Sequence, residues 1–195
     1  MITDRGNQGG ALKWQDATQA EREELKLLGI LDDAGAVQPR VAGETLAANR
    51  VARTAIEARD VLNEAYAYAK PSSFARGLRV GLGTVDLLLI SGTASIDEDG
   101  NTVHVGDFRA QCWRTYRNIT RLLASEGAIW HDIVRTSCYL RDIERDYRDF
   151  NEVRTAFFGW LALDPLPAST GIQARLCRED LLVEIEAMAV VPAGR

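Results

Sequence analysis

Between residues 74 and 191 the apolar positions follow two rhythms, and the points where the rhythm changes divide the chain into elements. Residues 74–80 alternate, GLG at 81–83 has hairpin-turn composition, and VDLLLIS at 85–91 is a short apolar run closed by Gly92. Two strands are predicted there. After a polar turn at 97–101, Phe108, Cys112, Thr115, Ile119 and Leu122 recur at helical spacing. Asp107 stands near the start of that stretch and Gly127 at its end, so 106–126 is predicted helical. IVRTSCYLRDI at 133–143 is a predicted strand. Tyr147, Phe150, Val153, Phe157 and Trp160 then return to helical spacing until the loop at Pro165 and Pro167. Two last strands, 171–176 and 181–191, are joined by a charged turn at 178–180.

The first 70 residues read differently. Thr18 and Glu21 have capping-box spacing before Leu25, Leu27 and Leu28, which predicts a short helix ending at Gly29. Residues 32–43 are rich in turn formers. From 44 to 69, Leu46, Val51, Ala55, Ala58, Leu62, Ala65 and Ala69 recur every three or four residues, predicting a long amphipathic helix stopped by Lys70 and Pro71. The expected organisation is a helical extension over 1–70 and an α+β domain over 71–195. In that domain the order β-β-α-β-α-β-β gives one sheet with two helices on one face.

Two helices cover only one face. Yet VDLLLIS is apolar on both sides, and the last strand sets Leu182, Met188 and Val190 against Val183, Ile185, Ala187 and Ala189. The second face therefore needs a cover, either the N-terminal helices or, as favoured here, another copy of the chain.

Composition narrows the function classes. With 195 residues, 46% hydrophobic, a net charge of −5 and pI near 5.2, the surface has no basic stripe for nucleic acid or an anionic membrane. No stretch approaches 18 apolar residues and MITDRGNQGG lacks an apolar core, so a soluble, cytoplasmic protein is expected. Cys112, Cys138 and Cys177 are widely spaced and odd in number, which argues against a disulfide framework or zinc site. His104 and His131 have no ligand neighbours at metal spacing, and no metal or cofactor is expected.

Candidate chemistry concentrates in LCREDLLVEIEAMAV, 176–190. Glu184 and Glu186 share a strand face with Leu182 and Met188, so a carboxyl there is partly desolvated and its pKa rises toward the range useful for proton transfer. An exposed sheet glutamate or an inter-subunit ion pair is the plainer reading. Arg175 suits planar recognition of a carboxylate, with a surface salt bridge as the alternative. Cys177 faces either the same cleft or the core. Ser91 and Thr93 flank Gly92, where N–H groups and hydroxyls can cradle an oxyanion, or simply form a turn.

Four segments, ISGTASIDEDG, GDFRAQCWRTYRNITRLLASEGA, DIVRTSCYLRDI with DFNEVRTAFF, and LLVEIEAMAV, together resemble the RidA/YjgF superfamily of reactive-intermediate deaminases over 71–191. The resemblance implies a chorismate-mutase-like fold, a homotrimer, and sites in clefts between subunits that bind a small, carboxylate-bearing substrate. It selects Glu184 over Glu186 as the pocket glutamate and adds Ser91, Gly92 and Asn151, the last readable also as a helix hydrogen-bonder. Two departures stand out. Deaminating members carry P-A-R-S, whose arginine holds the substrate carboxylate, whereas this chain has PAST with Ser169 in that place; and Phe74 stands where the family has a tyrosine.

A narrower similarity, in SGTAS and CREDLLVEIEA, is to chorismatases, with Arg175 and Arg178 as carboxylate clamps. The leading expectation is imine or enamine hydrolysis with ammonia release. A chorismatase-like enzyme acting on a cyclic enol ether, and a non-enzymatic metabolite-binding trimer, are the alternatives. Ribonuclease activity, attached to some relatives, fits the acidic surface least.

Overall fold

The computed structural model describes residues 17–38, 51–68 and 72–194, and the chain divides into two units, residues 1–50 and 51–195. Expectations for 39–50 and 69–71, including the start of the long helix and its stop at Pro71, lie outside the described residues. In the first unit, α1 (Gln19–Leu27) begins as its sequence requires. The Thr18 hydroxyl accepts from the Glu21 N–H at 3.2 Å, and the Glu21 carboxylate accepts from the Thr18 N–H at 2.6 Å. Gly29, at φ 69°, follows its end.

In the second unit the elements are β1 (Arg53–Ala55), β2 (Gly77–Gly81), β3 (Val85–Ala94), α2 (Phe108–Ser125), β4 (Ile133–Leu140), α3 (Ile143–Trp160), β5 (Ala168–Gln173) and β6 (Val183–Pro192). They form one six-stranded sheet in the order β1-β2-β3-β6-β4-β5. All neighbours are antiparallel except β4 and β5, which run parallel because α3 carries the chain back between them. The last two strands are thus not partners: β5 takes the edge, and β6 enters the middle.

The expected helix over 44–69 is not what residues 51–68 form. Arg53–Ala55 pairs with β2, and only a single 3₁₀ turn, Ala65–Ala67, is helical. Its apolar spacing was real but served a different end. Ile56, Ala58, Val61 and Leu62 are buried in the sheet's core and Ala65 is buried as well, while Val51 and Ala55 are exposed. Sheet pairing and burial overrode the helix propensity of alanine.

Helices α2 and α3 start where aspartates cap them. Asp107 accepts from the Ala110 N–H and Asp142 from the Arg145 N–H, each at 3.0 Å, and Gly127 at φ 67° follows α2. The predicted stripe of α2 is buried throughout. That of α3 is buried at Phe150, Val153 and Phe157, but its ends, Tyr147 and Trp160, are exposed. Tyr116, Trp130, Phe157 and Phe158 meet ring to ring beneath the helices, Tyr116 stacking on Phe157 at 4.7 Å.

Strand β6 presents two unlike faces. Val183, Ile185, Ala187, Ala189 and Val191 are each no more than 2% exposed, whereas Met188 and Val190 are 39% and 36% exposed. Leu87 and Leu89 of β3 pair with Val190 and Met188 and lie on that same open face. The helix-side face is closed further by Arg79, which donates to Asp86 at 2.7 Å, to the Glu126 carboxylate at 2.8 Å and to the Glu126 carbonyl at 2.8 Å. One guanidinium thereby ties β2 and β3 to the end of α2. Replacing Arg79 by Met leaves two largely buried carboxylates without a cation, and urea unfolding should show a loss of about 2–3 kcal/mol.

Candidate functional site

The site is built where a break in β3 meets the open face of β6. The register between these strands shifts between Ile90 and Thr93, so Ser91 and Gly92 form a bulge within β3 instead of the turn that one reading expected. The Ser91 N–H donates to the Arg76 carbonyl at 3.0 Å and its hydroxyl to the Ala75 carbonyl at 2.7 Å. Thr93, 2% exposed, donates to the Ser91 carbonyl at 2.9 Å. Both hydroxyl protons therefore hold the bulge in shape.

Gly92 is there for space. A β-carbon on it would stand 2.0 Å from Glu184 Oε1 and 2.9 Å from Cδ, so the carboxyl of Glu184 lies directly against the bare backbone of the bulge. Glu184 pairs across β6 with Ala94 on one side and Tyr139 on the other. It is half-buried and has no hydrogen-bond or ion-pair partner among the described residues. Burial pushes its pKa above the ordinary carboxylate value, and the nearby Glu186 carboxylate adds to the rise. Tyr139, whose hydroxyl is likewise pushed up by burial and then by Glu186, was not anticipated from sequence. Its place beside Glu184 depends on the β4–β6 register, which strand patterns alone do not fix.

Ser169 lies on the other side of the sheet. It pairs with Thr136, which pairs with the buried Ala187, so it shares the helix-side face and cannot meet Glu184 within one chain. The Ser169 hydroxyl accepts from Thr136 Oγ1 at 3.0 Å and from Arg154 Nη1 at 3.3 Å. Arg154 also donates to Asn151 Oδ1, and its guanidinium lies over the Phe150 ring at 5.0 Å. Asn151 is therefore engaged from within α3, four residues before Thr155 and three before Arg154. Arg154 escaped the sequence reading, although its i, i+3 spacing from Asn151 was a usable signal.

The remaining candidates separate from these two groups. Phe74 is 44% exposed and packs its ring 5.4 Å from the buried Arg76 guanidinium. Arg175 is exposed beyond the end of β5 and contacts no described partner. Arg178 donates to the Gly100 carbonyl and so braces a turn. Cys177 is exposed, contrary to the core reading, while Cys112 and Cys138 are buried as packing residues. Among the described residues no cluster of His, Cys, Asp or Glu has the makings of a metal site, and no helix is long and apolar enough to cross a membrane.

Known proteins share this framework. The model of the family described as Endoribonuclease L-PSP matches residues 69–191. A RutC family protein of Saccharolobus solfataricus is 30% identical over 116 residues, 60% of this chain and 85% of that protein. The 3-aminoacrylate deaminase RutC of Acinetobacter baylyi is 31% identical over 106 residues, 54% of this chain and 80% of that one. The crystal structure of the YjgF gene product from E. coli aligns with TM-score 0.56 and 25% identity, covering 70% of this chain and 98% of that one. With the sheet, the two helices and the glutamate-bearing central strand all in place, the chain belongs to the Endoribonuclease L-PSP family, that is, to the RidA/YjgF superfamily.

Proposed function

We propose that this chain is a RidA-type deaminase that hydrolyses a small imine or enamine and releases ammonia, with Glu184 as the proton carrier. The observation that carries this is the half-buried, unpaired Glu184 carboxyl held against the Gly92 backbone. A carboxyl placed so, with its pKa raised, serves as base and then as acid within one turnover. On the nitrogen-protonated imine, a water oxygen bonds to the carbon as one of its protons passes to Glu184, and the C=N π pair becomes the nitrogen lone pair of a neutral carbinolamine. Glu184 then returns that proton to the nitrogen, the C–N bond breaks with its electron pair leaving on ammonia, and the hydroxyl proton passes to Glu184 as the carbonyl forms, to be released to solvent. Atoms balance with water as the only co-reactant, and no cofactor enters the step. The deaminase named among the relatives supports the substrate class.

A homotrimer with its sites between subunits accords with the same geometry. The open face bearing Leu87, Leu89, Met188 and Val190 calls for a partner sheet. Ser169 and Glu184 also point to opposite sides of their own sheet, so a cleft containing both requires two copies. Light scattering should give the mass of three chains, and a monomer would remove this part of the proposal.

The chemistry is tested with an enamine generated in situ by serine or threonine dehydration, with chorismate offered in parallel, following ammonia and pyruvate. Glu184→Gln should lower kcat/KM by about 10²–10⁴-fold. Ammonia release untouched by that change would sink the mechanism, and turnover of chorismate alone would favour the chorismatase-like alternative. Because the base must be ionised, kcat/KM should fall with decreasing pH through an apparent pKa above the ordinary carboxylate value of about 4.3. Gly92→Ala must push the flexible end of Glu184 aside. It should cost roughly 100-fold in rate while melting behaviour changes by less than about 1 kcal/mol.

A further inference from the structure

Arg154 differs from the other two arginines of α3. On or beside α3, Arg145 is paired with Asp146, Arg148 with Glu152, and Arg109 with Asp149 and Glu152. Arg154 has only neutral acceptors, the Ser169 hydroxyl and the Asn151 side-chain carbonyl, and no carboxylate partner among the described residues. Stacking on Phe150 and the bond to Asn151 fix its plane, so little rotamer freedom remains to be lost when an anion arrives. It stands at a cavity of about 420 Å³, whose lining includes Phe158, Leu163, Leu166, Pro167 and Ser169. A mainly apolar pocket with one oriented cation at its wall is the setting in which a small organic carboxylate is held by its charge and packed by its body.

We infer that Arg154 is the carboxylate anchor of this protein: its guanidinium, reaching from α3 to Ser169, binds the acid group of the substrate in the pocket between α3 and β5. The Ser169 hydroxyl accepts from both Thr136 and Arg154 and lies 3.9 Å from the Cys138 thiol, so it stands beside the guanidinium as a second polar group at the same wall. The sequence candidates for this role fit it less well, since Arg175 is exposed beyond β5 and Arg178 is committed to the Gly100 carbonyl. This inference rests on the deaminase reading for the identity of the substrate, but not for the binding of the acid group.

The test is therefore equilibrium binding, read by titration calorimetry, with pyruvate and its uncharged methyl ester as probes. Wild-type protein should bind pyruvate. Arg154→Ala and the better-filling Arg154→Gln should weaken that binding at least about tenfold, with Arg154→Lys in between. Placing a guanidinium on the strand, as Ser169→Arg in the Arg154→Ala background, should recover part of the loss. The ester should be indifferent to all four variants. Equal pyruvate affinity in wild type and in Arg154→Gln, or no pyruvate binding by the wild type, would overturn the assignment. Arginine-dependent binding without turnover of any enamine would uphold this inference while the deaminase reading fell.

Discussion

β6 enters the sheet between β3 and β4, so both of its edges are hydrogen-bonded and only its two faces remain to be filled. Strict alternation then sorts its side chains. Val183, Ile185, Ala187, Ala189 and Val191 go under the helices, and Glu184, Glu186, Met188 and Val190 go to the open face. A carboxylate in the centre of a sheet cannot turn away to solvent as one at an edge can. It is held among strand backbones on either side, and its ionised form is disfavoured there. The bulge at Ser91 and Gly92 makes this placement tolerable, because it removes a side chain where the glutamate must lie. Glycine at that position reflects close approach and not a turn of unusual backbone conformation.

The division of labour between the two faces extends to β5. Parallel pairing with β4 puts Ser169 in line with Thr136 and Cys138, against α3, so the neutral hydroxyl and the Arg154 guanidinium form a group separate from Glu184. An arginine on the helix can approach the strand from above and keep its stem in the layer between them. The serine is small enough to leave room for it. In this view PAST is not a depleted version of an arginine-bearing strand. It is the strand half of an arrangement whose charge comes from the helix.

Much of this was legible before any coordinates. The alternation of residues 183–191 separated the two faces, and Asp107 and the glycine at 127 bounded the helix between them, whereas Asp142, which caps α3, was counted into the preceding strand. Alternation is a local property, and local properties survive in the sequence. Register is not local. The neighbours of Glu184 across β4, and of Ser169 across α3, depend on pairings between segments far apart in the chain, so Tyr139 and Arg154 passed unnoticed. The misreading of 51–68 has the same origin. Alanines spaced by three and four fit a helix, but Ile56, Val61 and Leu62 are drawn into the sheet's core by contacts the segment itself does not encode.

The order in which the strands are made adds a consequence for assembly. β3 and β4 are not neighbours in the sheet; the strand that joins them is the last of the six in chain order. Until Val183–Pro192 inserts, each presents an unpaired edge, and the long-range pairings that close the sheet wait for that strand to be made. A prematurely ended chain would thus expose two sticky edges and lack Glu184 together. Completion of the fold and acquisition of the proposed proton carrier are one event.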